Sequence, residues 1–281
     1  MIKVIRRIRE MKKLSDRVRK RGLTVGFVPT MGYLHEGHLS LVRRARKDCD
    51  FVVVSIFVNP IQFGPGEDLK RYPRDFSRDK RLLSGAGVDA IYYPNNEEMY
   101  PDGYRTYIYV SGLSDVLCGA ARCGHFRGVA TVVAKLFNVV KPDITYFGQK
   151  DFQQQVIVKR MAGDLDMDVK VVSMPTVREA DGLAMSSRNT YLKKSDRAKA
   201  AAIYGALKLA KDLVKTGMRS SSKVKAAMLK HMSRSGIKKV DYIAVCDTAT
   251  LEEKKAIKGK TLIATAAYVG GTRLIDNIVI N

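Results

Sequence analysis

Pro29-Thr30-Met31-Gly32-Tyr33-Leu34-His35-Glu36-Gly37-His38-Leu39 is the stretch that decides the fold of this chain. The apolar run Val25 to Val28 directly before it predicts a buried strand, and Leu39-Ser40-Leu41-Val42 predicts a helix. A turn between strand and helix is a natural anion site, because backbone N–H groups and the positive end of the helix dipole converge there. His35 and His38, two of only four histidines, add donors that can follow charge developing on a phosphate.

The pattern His35-x-Gly37-His38 is short and has two other interpretations. Two histidines three residues apart also serve as a metal pair, but no third ligand stands at a convincing spacing. Histidines also occur as ordinary residues at the start of a helix. The strand before the motif, the helix after it and the small approach surface of Met31-Gly32 favour a nucleotide phosphate.

Short apolar runs alternate with amphipathic stretches over the first two-thirds of the chain. The runs are residues 25–28, 51–58, 90–93, 144–147 and 169–172, and helices are predicted at 37–47, 75–86, 128–140 and 152–162. Buried strands followed by helices predict an α/β fold, a parallel sheet with helices on both faces. The basic, amphipathic residues 1–21 predict one more packed helix.

The last third of the chain has a different pattern. Helices rich in Ala, Leu and Lys are predicted at 195–216 and 220–235, and strands at 240–245, 261–269 and 273–280. This arrangement is typical of a small α+β domain. We therefore expect two domains, residues 1–175 and 176–281, with their boundary near Pro175.

The net charge of +22 invites a nucleic-acid interpretation. The excess lies at the two ends, since residues 1–22 carry ten basic residues against two acids and residues 193–281 carry nineteen against seven. Residues 23–192, which hold every motif, carry twenty-one against nineteen. A solvated surface explains the charge better than weak steering of anions or a nucleic-acid face, so no nucleic-acid partner is expected.

Hydropathy and cysteine usage exclude further classes of protein. No apolar run approaches the length of a membrane span, and the start does not resemble a secretory signal, so no membrane partner is expected. The four cysteines match no zinc spacing and are interpreted as reduced, mostly core residues. They are Cys49, Cys118, Cys123 and Cys246. The combination of Cys118, Cys123 and His125 merits a check for metal.

Two further loops bring amides and a lysine to strand ends. Asn59 and Gln62 follow the run 51–58, and such amides suit a small molecule with hydroxyl and carboxylate groups. Alternatively, Asn59 caps the strand end and Pro60 sets a turn. In Gly148-Gln149-Lys150-Asp151 a strand again ends in glycine before a helix, and Lys150 there suits a phosphate. Gln153-Gln154 could supply a second amide.

A fourth loop, 176–189, contains Ser186-Ser187-Arg188, whose hydroxyls and guanidinium would form a polyphosphate clamp. The same residues also suit a helix-capping turn. All four loops converge at one edge of the predicted sheet. They lack a triad or an acid pair, and they suit attack by a carboxylate on the α-phosphate of ATP to give an acyl adenylate and pyrophosphate.

Five segments in order resemble pantothenate synthetase, also called pantoate–β-alanine ligase, and the resemblance runs from Phe27 to Asn277. The segments are Pro29 to His38, Phe57 to Phe63, Gly124 to Gly128, Lys150 to Gln154 and Asp181 to Asn189. This family belongs to the nucleotidyltransferases that share the His-x-Gly-His turn with class I aminoacyl-tRNA synthetases. The resemblance implies a Rossmann-like first domain, a cytoplasmic enzyme and a homodimer.

The resemblance also implies a reaction and its participants. ATP and magnesium would adenylate pantoate, and the amine of β-alanine would then attack the pantoyl adenylate, releasing AMP and pantothenate. His38 would donate a proton, His35 would help to hold the phosphates, and Lys150 would stabilise charge on the α-phosphate. Residues implied at the ATP site are Met31, Gly32, Tyr33, Leu34, His35, Glu36, Gly37, His38, Gly148, Gln149, Lys150, Asp151, Val177, Met185, Ser186, Ser187 and Arg188.

For the other substrates, the resemblance implies that Gln62 and Gln154 hold pantoate, that Gln62 borders the β-alanine site and that Asn59 lines the same pocket. It offers Asp79 as a neighbour of the magnesium without fixing the metal ligands. One departure stands at Gln149, where many members have Glu.

Two alternatives belong to other classes. A different nucleotidyltransferase would join a nucleotide to a phosphate-bearing acceptor, and it would need cations where Gln62 and Gln154 are neutral. A nucleic-acid-binding protein would show strongly salt-dependent affinity for polyanions.

Overall fold

The computed structural model describes residues 2–281, which form a six-stranded parallel sheet and a three-stranded antiparallel sheet. The parallel strands are β1 (Lys3–Ile5), β2 (Val25–Thr30), β3 (Phe51–Ile56), β4 (Ala90–Tyr92), β5 (Ile144–Gly148) and β6 (Lys170–Met174). The helices of this part are α1 (Ile8–Lys20), α2 (Glu36–Asp48), α3 (Phe76–Gly85), α4 (Asn96–Met99), α5 (Cys118–Ala121), α6 (His125–Val140) and α7 (Phe152–Asp164). The strand order is β1-β4-β3-β2-β5-β6.

That order places a topological switch point between β2 and β5. From β2 the chain builds outward through β3 and β4, whereas β5 and β6 extend the sheet in the other direction. The two central strands pair at Gly26–Ile144 and Phe27–Thr145. The loops that follow them therefore separate at the carboxyl edge, which is where ligands bind in open sheets of this kind.

Helices cover both faces of the parallel sheet because successive residues of a buried strand point to opposite sides. Phe27 packs with α1 and α6 on one face, for example against Phe137. Val28 packs with α2 and α3 on the other face. The predicted α/β fold is confirmed, and four of the predicted helices match α2, α3, α6 and α7 to within a few residues.

The N-terminal prediction was wrong for residues 3–5. A helix was expected over residues 1–21, but Val4 and Ile5 belong to β1, which pairs in parallel with Ile91 and Tyr92 of β4. The helix begins only at Ile8. The β-branched side chains of Val4 and Ile5 suit an edge position on the sheet, and this long-range pairing overrides the local helical period.

The C-terminal part consists of two helices on an antiparallel sheet. Its elements are α8 (Lys194–Lys215), α9 (Ser221–Arg234), β7 (Lys239–Asp247), β8 (Thr261–Val269) and β9 (Thr272–Ile280). Successive side chains of β8 point to opposite faces of its sheet. Ile263 therefore packs against α8 and α9, whereas Leu262 packs with the core of the parallel-sheet part. The predicted small α+β unit is therefore present, while the division at residue 175 stays a prediction. Within residues 2–281, the helices are all too short or too polar to cross a membrane.

Candidate active site

The turn after β2, residues 31–38, is called here the histidine turn, and Asp79 of α3 braces its backbone. Gly32 and Tyr33 both have positive φ angles, 84° and 50°. The Asp79 carboxylate accepts the N–H of Tyr33 at 2.7 Å and the N–H of Leu34 at 2.8 Å. Burial raises the pKa of Asp79, and its two oxygens are already engaged. Asp79 therefore shapes the turn.

His35 and His38 pack together at the start of α2, with ring centroids 4.1 Å apart. The Nδ1 atom of His35 accepts the N–H of Gly37 at 3.1 Å, which caps the helix. A Cβ atom on residue 37 would lie 2.9 Å from the His35 ring, so this close approach requires glycine. The Nδ1 atom of His38 accepts the N–H of His35 at 3.3 Å.

These contacts fix the protonation of both imidazoles. Burial, assisted by the charge of Lys150, lowers the pKa of His35 to about 4. Burial, with the charges of His35 and Lys150, also lowers the pKa of His38 well below its usual range. A neutral imidazole that accepts at Nδ1 carries its proton on Nε2. Each ring therefore offers one Nε2–H donor beside the N-terminus of α2.

The turn after β5, residues 148–151, is called here the lysine turn. Its Gln149–Asp151 segment forms a 3-10 turn that leads directly into α7. Burial lowers the pKa of Lys150, and the carboxylates of Asp151 and Asp276 act in the opposite direction. Because the charge of Lys150 affects both imidazoles, the two turns form one electrostatic site.

Three predicted amides lie beside these turns, and they differ in their freedom. The Asn59 amide donates to Gln62 at 3.0 Å and to the carbonyl of Gly128 at 3.1 Å, and it accepts from Tyr100 at 2.7 Å. Asn59 therefore holds Gln62 in place, while Gln62 and Gln154 line the pocket. Gln153, the other amide considered from the sequence, holds the backbone of residues 113–118.

The fourth loop joins the site through a hairpin and a short turn. Met185 donates its N–H to the carbonyl of Val177 at 3.0 Å, which brings both ends of the hairpin to the cleft. The Ser187 hydroxyl donates to the carbonyl of Tyr33 at 3.1 Å and so ties this loop to the histidine turn. The Ser186 hydroxyl accepts the N–H of Arg188 at 3.3 Å.

The loop 64–75, which precedes α3, borders the cleft and is anchored on two arginines that also line it. Asp68 accepts two hydrogen bonds from Arg188, each at 2.8 Å. Glu67 accepts two from Arg122, at 2.7 and 2.6 Å. Burial alone would raise the pKa of Glu67, but the hydrogen bonds from Arg122 outweigh it and lower that pKa. The predicted phosphate clamp Arg188 is thus paired with a carboxylate in this conformation.

Sequence reasoning missed the group formed by Arg122, His125 and Glu67. Arg122 lies 2.9 Å from the Nε2 atom of His125, whose Nδ1 atom lies 2.8 Å from the carbonyl of Gln62. Burial and the charge of Arg122 lower the pKa of His125 to about 3. The available signal was the segment Gly124 to Gly128, which carried the resemblance but no assigned role.

Together these elements enclose an inner pocket of about 210 Å³ that adjoins an outer cleft of about 560 Å³ between the two sheets. Fifteen of the twenty predicted site residues line the inner pocket. They are Met31, His35, Gly37, His38, Asn59, Gln62, Gly148, Lys150, Asp151, Gln154, Val177, Met185, Ser186, Ser187 and Arg188. One wall is apolar and includes Val129, Val132, Val133 and Leu136 of α6.

The other five predicted residues lie outside this pocket. Gly32 and Tyr33 line a separate groove beside Asp79, and Leu34 is fully buried. Glu36 forms an ion pair with Arg43 on the exposed surface of α2. Gln149 lines a different groove beside α7.

The cysteines do not form a metal centre in the part of the chain that the structure describes. Among residues 2–281, no group of three or more His, Cys, Asp or Glu side chains is arranged to hold a metal ion. Cys118 lies 3.1 Å from the hydroxyl of Tyr242, and His125 is engaged as described above. Cys49, Cys118 and Cys246 are buried and Cys123 is exposed, each with a free thiol.

Comparisons with known proteins identify the relatives of this chain. A family model described as pantoate-beta-alanine ligase matches residues 3–279. A pantothenate synthetase of Thermotoga petrophila is 56% identical over 279 residues, covering 99% of this chain and 100% of the relative. One from Moorella thermoacetica is 56% identical over 262 residues, 93% of each chain.

Solved structures agree with this likeness. The pantothenate synthetase of Thermus thermophilus superposes with a TM-score of 0.94 at 45% identity, covering 99% of each chain. The pantoate-beta-alanine ligase of Francisella tularensis, complexed with beta-gamma ATP and beta-alanine, superposes with a TM-score of 0.82 at 32% identity. It covers 99% of this chain and 98% of the other. Fold, cleft and likeness together define the class of this protein as an α/β ligase. More narrowly, the chain belongs to the pantoate–β-alanine ligase family.

Proposed function

We propose that this protein condenses pantoate with β-alanine at the expense of ATP, through a pantoyl adenylate. In the first half-reaction a carboxylate oxygen of pantoate forms a bond to the α-phosphorus of ATP, and the bond to the bridging oxygen of pyrophosphate breaks. In the second, the β-alanine amine attacks the acyl carbon and loses a proton, and AMP leaves with the bonding electron pair. The products are pantothenate, AMP and pyrophosphate.

The two turns would supply the electrostatics of adenylation. Negative charge builds up on the phosphate oxygens in the transition state, and fixed donors in a water-poor site stabilise it. The Nε2–H groups of His35 and His38 lie beside the helix N-terminus, and the ammonium group of Lys150 would add positive charge to the same site. Arg188 would hold the outer phosphates once Asp68 releases it.

The inner pocket suits pantoate, a small carboxylate with two hydroxyls and a dimethyl-substituted carbon. Gln62 and Gln154 offer amide donors and acceptors to the polar groups. The valines and Leu136 of α6 supply an apolar wall for the methyl groups. Neutral amides at this position favour a hydroxy acid over a phosphorylated acceptor, which would call for more cations.

Magnesium fits this site as a companion of ATP. Mg²⁺ prefers oxygen ligands and usually binds through one or two carboxylates together with substrate phosphates. Asp151 brings a carboxylate to the cleft beside Lys150. It would hold the ion there, and the ion would neutralise phosphate charge. Asp79 is less suitable because both of its oxygens accept backbone hydrogen bonds.

We extend the proposal to three properties of the whole protein. The parts 1–175 and 176–281 would act as two domains that enclose ATP between them. A homodimer would form over a surface that includes Tyr107 and Tyr109, which are 45% and 53% exposed. A cytoplasmic location accords with the supply of ATP and with four free thiols.

The observation that carries the proposal is that two imidazoles, each accepting a backbone N–H at Nδ1, lie with Lys150 beside a pocket lined by amides. The test is ATP–[³²P]pyrophosphate exchange with magnesium, with and without pantoate, in the absence of β-alanine. Exchange that requires pantoate is expected. If folded protein binds ATP but does not exchange, the proposal fails, and phosphorylated acceptors should then be screened.

A further inference from the structure

Asn277 and Asp276 are polar residues of β9 that are almost fully buried, each 4% exposed. The Asn277 side-chain amide donates to the carbonyl of Gln149 at 3.0 Å and to the carbonyl of Lys150 at 2.9 Å. Because both partners are carbonyl oxygens, the amide nitrogen must face them, and each of its two hydrogens has one acceptor. Asn277 of β9 thus binds the backbone of the lysine turn.

These two bonds restrain the conformation of Lys150 itself. The carbonyl of Gln149 belongs to the peptide plane before the Cα atom of Lys150, and the carbonyl of Lys150 belongs to the plane after it. Peptide planes are rigid, so holding both oxygens restricts the φ and ψ angles of Lys150. The base of the lysine side chain is then set relative to the histidine turn.

Asp276 keeps Asn277 in place and connects it to a second part of the cleft. Its carboxylate accepts the N–H of Asn277 at 2.8 Å and two hydrogen bonds from Arg178, at 2.6 and 3.0 Å. The Arg178 guanidinium stacks 3.7 Å from the ring centre of Tyr204 and donates to the carbonyl of Gly182 at 3.1 Å. One strand therefore anchors both the hairpin 177–185 and the lysine turn.

We propose that Asn277 is a positioning residue for adenylation, which acts by holding the backbone of Lys150 through the carbonyls of Gln149 and Lys150. The inference rests on the proposed function, in which Lys150 stabilises charge on the α-phosphate. Asn277 acts through Lys150 and supports the first half-reaction most, because there an anionic carboxylate attacks the α-phosphorus itself. In the second half-reaction a neutral amine attacks the acyl carbon, and the phosphate only departs with AMP.

A double-mutant cycle tests this coupling directly. Pantoate-dependent pyrophosphate exchange is measured for the native protein, Asn277→Ala, Lys150→Ala and the double variant. Small displacements of a catalytic group are costly, so Asn277→Ala should lower kcat about tenfold, with KM for pantoate within about twofold. In the Lys150→Ala background the same change should cost less than about twofold, because its target is gone.

Three controls separate positioning from general damage. Asn277→Asp keeps the shape but removes the donors and should lower exchange at least as much as Asn277→Ala. Ile278→Ala removes packing one residue further along β9 and should leave kcat unchanged. Formation of pantothenate from preformed pantoyl adenylate and β-alanine should stay within about twofold in Asn277→Ala.

Backbone hydrogen exchange gives a readout that does not depend on the reaction. In Asn277→Ala, amides of residues 149–153 should exchange faster, while those of residues 33–39 should not change. Three results would each overturn the inference. Asn277→Ala could lower kcat equally in the native and Lys150→Ala backgrounds, or Asn277→Asp could keep native pyrophosphate exchange. Alternatively, the amides of residues 149–153 could keep their protection from hydrogen exchange in Asn277→Ala. The native protein could show no pyrophosphate exchange while Asn277→Ala still lowers the hydrogen-exchange protection of residues 149–153. The proposed reaction would then fail, but the conclusion that Asn277 holds the lysine turn would remain.

Discussion

The histidine turn and the lysine turn lie side by side at the switch point, but their support comes from different parts of the chain. Asp79 of the neighbouring α3 braces the first turn through two backbone hydrogen bonds. Asn277, 127 residues beyond Lys150, holds the second turn from the C-terminal sheet. The imidazole donors of the histidine turn are thus positioned within the parallel-sheet part of the protein. The position of the Lys150 charge depends instead on the packing of the C-terminal sheet against the lysine turn.

This difference shows how one site can combine a rigid histidine turn with a cleft whose other walls are held by more distant contacts. The imidazoles are held by mutual packing and by capping of α2, so under the proposed function they would need no reorganisation when a phosphate binds. The lysine, Arg188 and the hairpin 177–185 all depend on contacts outside the parallel sheet. Movement of these contacts would open the cleft and break the Ser187–Tyr33 hydrogen bond, which ties the fourth loop to the histidine turn.

Replacing His38 by Ala should give the largest effect, because it removes a preorganised donor from the rigid half of the site. We expect pantoate-dependent exchange to fall by about a hundredfold or more. The fold should be kept, since the Nδ1 contact with His35 is a single long hydrogen bond at 3.3 Å. Circular dichroism and an unfolding curve check the fold, and normal turnover in this variant would refute the assignment.

Replacing Asp79 by Ala should destabilise the protein, because two backbone N–H groups in a positive-φ turn lose their acceptor. Loss of charge-assisted bonds in a buried site suggests about 2–3 kcal/mol in the free energy of unfolding, with exchange also reduced. Asp75→Ala on the same helix is the matched control, since Asp75 only caps α3 at an exposed position and should cost about 1 kcal/mol. Equal losses in the two variants would show that Asp79 does not brace the turn.

The sequence revealed the features that are encoded locally. Val25 to Val28 and the following helix are continuous patterns within about twenty residues, and the order of such units predicts a parallel sheet. The convergence of four loops followed from that topology alone. Fourteen of the fifteen predicted site residues that line the pocket, including His38, Gln62 and Lys150, lie in those loops, and Gln154 lies in the first turn of α7.

Features that depend on distant partners left no local signal. The three-residue β1 is a strand only because β4 offers an edge. Asp79 and Asn277 look like ordinary polar residues until the fold brings backbone groups to them. The pairing of Asp68 with Arg188 joins residues 120 positions apart, and nothing in either segment indicates it.

Replacing Gln62 by Ala should affect a substrate and spare both turns. We expect KM for pantoate to rise about tenfold, as for the loss of one good polar contact, while the affinity for ATP stays within about twofold. Gln153→Ala is the matched control, because this glutamine holds residues 113–118 and should reduce stability without a change in KM. A parallel rise in the Kd of ATP would mean that Gln62 supports the histidine turn.

The smallest expected effect is a pH dependence of stability that reports the neutral histidines. The pKa of folded His35 is about 4, whereas an unfolded histidine titrates near 6.5, so below that pH the unfolded chain binds more protons. The stabilisation is therefore complete above pH 6.5 and declines as the pH falls. His35→Asn keeps a capping side chain at the start of α2 but removes the titrating ring. Between pH 7 and 5.5 the native protein should lose about 1 kcal/mol more than this variant, measured by urea unfolding at each pH. Identical pH slopes would mean that the folded His35 ring titrates like an unfolded histidine, so that burial does not keep this ring neutral.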